Sequence, residues 1–239
     1  MNEMKKRARI AGLVYLLLAF SAPFALIYVP STLYVRGDAT ATVANIEASE
    51  LLFRSGIVTS LAVNVIFILV ALALYRLLED VNRMQALLML VLVVASASAG
   101  FLNDLNQIAV LIITSGADFL APFAKAQLDA FAFFFLRLHG HGLQAISLFW
   151  GLWLLPLGLL SYRSRFIPRI FGVLLIINGF AYVLSSLTFF LGPQYVDLVS
   201  RLTIVPKLAG ELPFMLWLVI KGVRTGPFEG SADEMPAPA

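Results

Sequence analysis

The chain has 239 residues, of which 60% are hydrophobic and only 13% are charged, and its mean hydropathy is +0.90. A soluble domain carries about twice that share of charged residues, and its surface could not hide so much apolar area from water. The composition therefore excludes a soluble globular protein and predicts one whose solvent is the lipid bilayer. The net charge of +3 is not gathered into a basic stripe with interleaved aromatic residues, so no nucleic-acid partner is predicted.

Six stretches are long and apolar enough to cross a bilayer, because a helix needs ~20 apolar residues to span a ~30 Å hydrocarbon core. They lie at about 10–29, 55–75, 84–113, 142–162, 167–191 and 203–223. The runs are continuous rather than alternating, which favours helices over a β-barrel. The sequence therefore predicts an all-α polytopic membrane bundle of about six helices, with residues 1–228 as one domain and 229–239 as a disordered cytoplasmic tail.

Two longer connections are predicted to be amphipathic helices on the outer face. Residues 38–54 begin with Asp38, a favourable helix cap, and place Glu50 four residues before Arg54. Residues 119–138 carry apolar side chains on one face. They are either a second interfacial helix or an outward extension of the fourth span.

The distribution of lysine and arginine predicts the orientation, because these residues are enriched in cytoplasmic loops. A cytoplasmic N-terminus places eleven of the 17 basic residues inside and six outside. The inside set is Lys5, Lys6, Arg7, Arg9, Arg76, Arg83, Arg163, Arg165, Arg169, Lys221 and Arg224. We therefore expect a multi-pass protein of the cell membrane with both termini in the cytoplasm.

Several stretches of the chain resemble a known family. They are residues 9–15 (RIAGLVY), 28–31 (YVPS), 36–39 (RGDA), 167–175 (IPRIFGVLL) and 221–223 (KGV). Together they resemble the domain-of-unknown-function 4386 family of bacterial membrane proteins. The resemblance implies a compact multi-span membrane protein and brings no activity, substrate or cofactor, so it assigns no catalytic residue.

The third span carries a dense group of polar side chains within an otherwise apolar helix. Asn103, Asp104, Asn106 and Gln107 lie within five residues, and spacings of three and four place most of them on one helix face. Embedded polar groups cost free energy unless they are paired or hydrated, so they mark either a binding site or a contact between helices.

Other spans add embedded polar groups. Lys207 and Glu211 lie one turn apart on the sixth span, where Lys207 is the expected counter-ion of Glu211. Counting from the predicted span ends places nearly all of these groups in the outer half of the bilayer. The predicted ligand-binding residues are Asp104, Glu211, Lys207, His139, Asn103, Gln107 and Asn64.

The sequence contains few of the motifs that mark metal sites, cofactor sites or catalytic nucleophiles. The chain has no cysteine, which excludes thiolate metal sites and iron–sulfur clusters. His139 and His141 are two residues apart, so they do not share a helix face, and no metal site is predicted. No phosphate-binding loop or nucleophile elbow is present.

Three functions are compatible with these observations. The first is binding or transport of a small molecule, lipid or ion through an outward-facing polar pocket, with His139 as a proton-responsive group. The second is a membrane enzyme for a lipid-soluble substrate, with Asp104, Glu211 and His139 as acid and base. The third is a structural or partner-binding subunit, also compatible with an oligomer, whose polar residues only join helices.

Overall fold

The structure, a computed structural model, describes residues 3–223, so the predicted tail at 229–239 lies outside the described residues. The helices are α1 (Glu3–Pro23), α2 (Val29–Leu33), α3 (Ala39–Ala48), α4 (Glu50–Leu78), α5 (Arg83–Ile113), α6 (Lys125–Arg163), α7 (Arg169–Leu191) and α8 (Val196–Ile220). A π-helical turn, Phe24–Tyr28, joins α1 to α2 without a break.

Six helical segments of the described chain are long and apolar enough to cross a membrane. They are α1 with α2, then α4, α5, α6, α7, and α8 with the short turn that precedes it. No strand is present in residues 3–223. The predicted all-α bundle of six spans is confirmed.

Helix α6 settles the alternative left open for the fourth span. It is a single helix of 39 residues that runs without a break through Gly140 and Gly142. Its length is ~58 Å at 1.5 Å per residue, almost twice the thickness of the hydrocarbon core. The segment from Lys125 onward is therefore an extension of the span and not a separate interfacial helix.

The predicted helix at 38–54 is divided in two. The side chain of Asp38 accepts a hydrogen bond from the amide of Ala41 at 2.9 Å, which confirms the cap. The helix then ends at Ala48, and α4 begins at Glu50 after the non-helical Ser49. The expected ion pair is formed within α4, where Arg54 Nε lies 2.6 Å from Glu50 Oε1.

Helix α3 packs on the bundle instead of lying on a lipid leaflet. Thr42, Val43 and Ile46 are buried, and α3 contacts both α4 and α6. Lys125, at the start of α6, contacts Glu47 of α3 at 2.9 Å. These contacts attach α3 to the projecting part of α6, and we call this side of the molecule the capped end.

The six spans form a closed ring in which each contacts its neighbours in the order α1, α4, α5, α6, α7, α8 and back to α1. The short α4–α5 and α6–α7 turns, the start of α1 and the end of α8 lie together on one side. This side carries most of the lysines and arginines, and we call it the basic end.

Glycines bring α6 and α7 closer than any side chain would allow. Gly151 faces the backbone of Gly179, and Gly158 faces that of Gly172. Small residues allow membrane helices to approach closely, which strengthens their van der Waals contact. The α6–α7 hairpin is therefore a tightly packed unit.

Apolar packing divides into two clusters. One fills the half of the ring near the basic end and contains Tyr15, Trp153 and Phe214. The other lies near the capped end and contains Val29, Phe53 and other apolar residues. The helices also carry polar side chains inside the bundle, and these form the candidate site described below.

We expect the basic end to face the cytoplasm. Because the chain has no native cysteine, single exposed cysteines report the orientation directly. Asp80→Cys in the α4–α5 turn should be protected from an impermeant maleimide in intact cells, and Ser115→Cys at the capped end should be labelled. Labelling in the reverse pattern would contradict the predicted orientation.

The α6–α7 contact predicts a position-specific effect of adding one methyl group. A Cβ at Gly151 would lie 2.6 Å from the carbonyl oxygen of Gly179, whereas nothing lies within 4 Å at Gly140 of the same helix. Gly151→Ala should lower Tm in detergent by about 4 °C or more because the helices must separate. Gly140→Ala should leave Tm unchanged or raise it slightly, since alanine favours a helix; equal effects would contradict the proposed close contact.

Candidate functional site

The carboxylate of Asp104 on α5 is the centre of one group of polar side chains. Oδ1 accepts a hydrogen bond from the Ser60 hydroxyl at 2.8 Å, and Oδ2 accepts one from the Asn64 amide at 3.3 Å, both from α4. His139 Nε2 of α6 lies 3.5 Å from Oδ1. Asp104 is 1% exposed and His139 6% exposed, so this Asp104 centre is an enclosed group contributed by three helices.

The other polar residues of α5 surround this centre. Asn103 donates a hydrogen bond to the backbone carbonyl of His139 at 3.0 Å, and Asn106 donates one to Asn103 Oδ1 at 3.2 Å. Gln107 is also buried and lies beside Tyr34, just beyond α2. Burial raises the pKa of the Tyr34 hydroxyl to about 12, so it remains a neutral donor.

Glu211 of α8 is the centre of a second group. Its Oε1 accepts a hydrogen bond from the Asn178 amide of α7 at 3.0 Å, and its Oε2 accepts one from the Tyr15 hydroxyl of α1. Asn178 is 0% exposed and Tyr15 1% exposed. This Glu211 centre thus joins the other three helices of the ring.

Lys207 is not the counter-ion of Glu211, which corrects the expectation from their spacing. Its Nζ donates a hydrogen bond to Ser185 Oγ at 2.8 Å and lies 4.8 Å from the centre of the Tyr182 ring. Helical side chains lean toward the N-terminus of their helix, so Lys207 leans toward the capped end. The carboxylate of Glu211 meanwhile receives its hydrogen bonds from the neutral donors Tyr15 and Asn178.

The two centres lie at different depths. Glu211 is nine residues from the end of α8 at Ile220, ~14 Å from the basic end. Asp104 is 21 residues from the start of α5 at Arg83, ~30 Å from the basic end. The embedded groups therefore form two centres instead of the single predicted pocket, and Glu211 lies closer to the basic end than Asp104 does.

Three asparagines inside the bundle each pack against a glycine of the neighbouring helix; Asn103 and Asn178 are buried and Asn64 is half-buried. The pairs are Asn64 with Gly100, Asn103 with Gly142, and Asn178 with Gly210. An added Cβ at Gly142 would lie 2.0 Å from Asn103 Oδ1. Glycine thus provides the space in which an amide side chain can reach its partners between two closely packed helices.

Sequence reasoning missed Ser60, Tyr15 and Asn178. Asn178 gave a usable signal, since it interrupts the apolar run of α7. Ser60 and Tyr15 gave none, because serine and tyrosine are ordinary residues of membrane helices. Only the packing of α4 on α5 and of α1 on α8 reveals their roles.

The arrangement limits the chemistry that these residues can perform. Ser60 and His139 both lie beside Asp104, and no hydrogen bond joins them in the described chain, so they do not make a nucleophile–base pair. His141 points away, with Nδ1 2.7 Å from the carbonyl oxygen of Arg137. No three histidine, aspartate or glutamate side chains converge within residues 3–223. A buried carboxylate beside a histidine is, however, suited to bind and release a proton or to hold a cationic or hydrogen-bonding ligand.

The fold and its two centres define a six-span helical membrane protein with ionisable groups inside the bundle. The family model described as Domain of unknown function (DUF4386) matches residues 10–222. The chain belongs to this family, and the resemblance seen in the sequence is confirmed. No curated protein and no solved structure matches the chain.

Substitutions at Tyr15 and Glu211 should have non-additive effects on the free energy of unfolding, because the two side chains share a hydrogen bond. In a double-mutant cycle of Tyr15→Phe and Glu211→Gln, the double variant should lose about 1 kcal/mol less free energy of unfolding than the sum of the single losses. Denaturant titration in mixed micelles measures each value. The control cycle of Tyr15→Phe with Glu50→Gln, on the bundle surface, should be additive; additivity in both cycles would show that the hydrogen bond contributes nothing.

Proposed function

We propose that the protein binds a small solute or ion at the Asp104 centre and moves it across the membrane together with a proton. The observation that carries the proposal is the burial of Asp104 beside His139 between three helices. Ionisable side chains at membrane depth are costly, and where they occur they line ion pathways, proton relays or substrate sites.

The partners of Asp104 support a site that changes its protonation. Ser60 and Asn64 are neutral donors, and His139 is the only nearby group of the described chain that can carry a positive charge. A proton taken up or lost at this centre therefore changes its net charge, and a bound cation can replace that proton.

The Glu211 centre supports movement across the membrane as well as binding. It lies nearer the basic end than Asp104 does and belongs to the other three helices of the ring. Two carboxylates at different depths offer successive positions for a proton or a cation. Asp104 and His139 are enclosed, so the helices must separate for a ligand to enter.

The principal rival function is structural. The Asp104 carboxylate already accepts hydrogen bonds from Ser60 and Asn64 of α4. Three asparagines fit against glycines of neighbouring helices. Residues that only hold helices together would show the same pattern. The enzyme function has less support, because the predicted acid–base residues are not assembled at one site: His139 lies beside Asp104, whereas Glu211 contacts Asn178 and Tyr15.

Proton-coupled uptake in proteoliposomes tests the proposal. The vesicles contain a pH-sensitive dye, and amino acids, organic cations or alkali cations are added under an inward proton gradient. At least one solute class should accelerate collapse of the gradient in the wild type. Asp104→Asn should lower that rate by about tenfold or more while leaving Tm within about 2 °C, because asparagine fills the same space without the charge.

Asp129→Asn is the matched control. Asp129 is equally buried but pairs with Lys125 at 2.8 Å near the capped end, away from both centres. Its replacement should leave the rate unchanged. If no solute collapses the gradient in the wild type and Asp104→Asn instead lowers Tm by several degrees, the structural function is correct and the transport function is wrong.

A further inference from the structure

The turn between α6 and α7 carries three arginines on a fixed backbone. Ser164 follows the end of α6; its hydroxyl donates to the carbonyl oxygen of Ser161 at 2.8 Å and accepts from the amide of Ile167 at 3.2 Å. Ser164 and Ile167 are buried, and the turn is anchored to the bundle through them. The side chains of Arg163, Arg165 and Arg169 are exposed around this anchor.

These arginines lack acidic partners within the described part of the chain. No carboxylate of residues 3–223 lies within 4.0 Å of Arg163, Arg165 or Arg169. Arg7, at the same end of the molecule, differs because it lies 3.7 Å from Glu3 and donates to the carbonyl oxygen of Arg76. The turn thus concentrates positive charge that an external anion can neutralise.

The shape of the turn suits a phosphate group. The three arginines line a concavity of about 670 Å³ together with Ser164 and Ile170. Arginine binds phosphate through two parallel hydrogen bonds, which makes it well suited to phosphate recognition. The first residue of α7 is Arg169, so the positive end of that helix adds to the same field.

The position of the turn selects a lipid over a soluble anion. It connects two membrane spans, so its arginines lie at the level of lipid headgroups. Ile170 is 58% exposed and Val173 39% exposed on the first turns of α7. Arg169 stacks over the Tyr162 ring at 5.6 Å, as an interfacial aromatic side chain allows. A phosphate at the arginines would place acyl chains along these apolar side chains.

We propose that the α6–α7 turn is a binding site for an anionic phospholipid, with Arg163, Arg165 and Arg169 holding the headgroup phosphates and Ile170 contacting an acyl chain. This site is separate from the two buried centres and does not depend on the proposed transport. Basic pockets between membrane helices are a recurrent means of binding such headgroups.

Native mass spectrometry of lipid titrations tests the site. The wild type and the triple variant R163Q/R165Q/R169Q are titrated with phosphatidylglycerol, cardiolipin and phosphatidylcholine. The triple variant should bind the two anionic lipids on the order of 100-fold more weakly. This value follows because each basic residue near the membrane surface contributes about 1 kcal/mol to the attraction and three are removed. Phosphatidylcholine binding should not change.

A second triple variant, R7Q/R76Q/R83Q, removes the same charge from the same end and is the matched control. It should retain most of the affinity for anionic lipid. Equal losses in both triple variants would mean a diffuse attraction to the basic end and would overturn the site. Displacement of the lipid by millimolar inorganic phosphate would instead identify a soluble phosphate as the ligand and would also overturn the proposal.

The variant R163K/R165K/R169K guards against misfolding or inverted insertion, because it keeps every charge that directs topology. Lysine cannot form the paired hydrogen bonds of arginine, so this variant should still lose about tenfold in affinity. Unchanged affinity for anionic lipid in the lysine variant, together with unchanged affinity in the glutamine variant, would show that the turn does not bind lipid.

Discussion

A carboxylate inside a bilayer must find partners within the protein, and the packing of α4, α5 and α6 satisfies that requirement for Asp104. Ser60, Asn64 and His139 reach it from two neighbouring helices. Water is scarce at this depth, so each partner must be supplied by a helix at a fixed distance and rotation. Gly100 makes room for the Asn64 side chain between α4 and α5. The position of one ionisable group therefore constrains three helices at once.

Glu211 imposes the same constraint on the other half of the ring. Its partners, Tyr15 and Asn178, belong to α1 and α7. The bundle thus consists of two groups of three helices, α4–α5–α6 and α1–α7–α8, each joined around one carboxylate inside the bundle. The groups meet along the glycine-lined α6–α7 contact and along the α1–α4 contact.

The arginine turn lies where these two groups meet. It connects α6, which contributes His139 to one centre, with α7, which contributes Asn178 to the other. A lipid held there would contact both groups at the membrane surface.

The sequence by itself determined the six spans, the cap at Asp38, the Glu50–Arg54 pair and the presence of embedded polar residues. These features depend on length, hydropathy and spacing along one helix, which are local properties. It could not determine the break at Ser49 or the partner of Lys207. The tertiary structure decided those, together with the separation of the polar residues into two centres. The physical reason is that a polar side chain of a membrane helix forms its hydrogen bonds with the neighbouring helix. Which helices are neighbours in the ring depends on the whole chain and cannot be inferred from any single stretch of sequence.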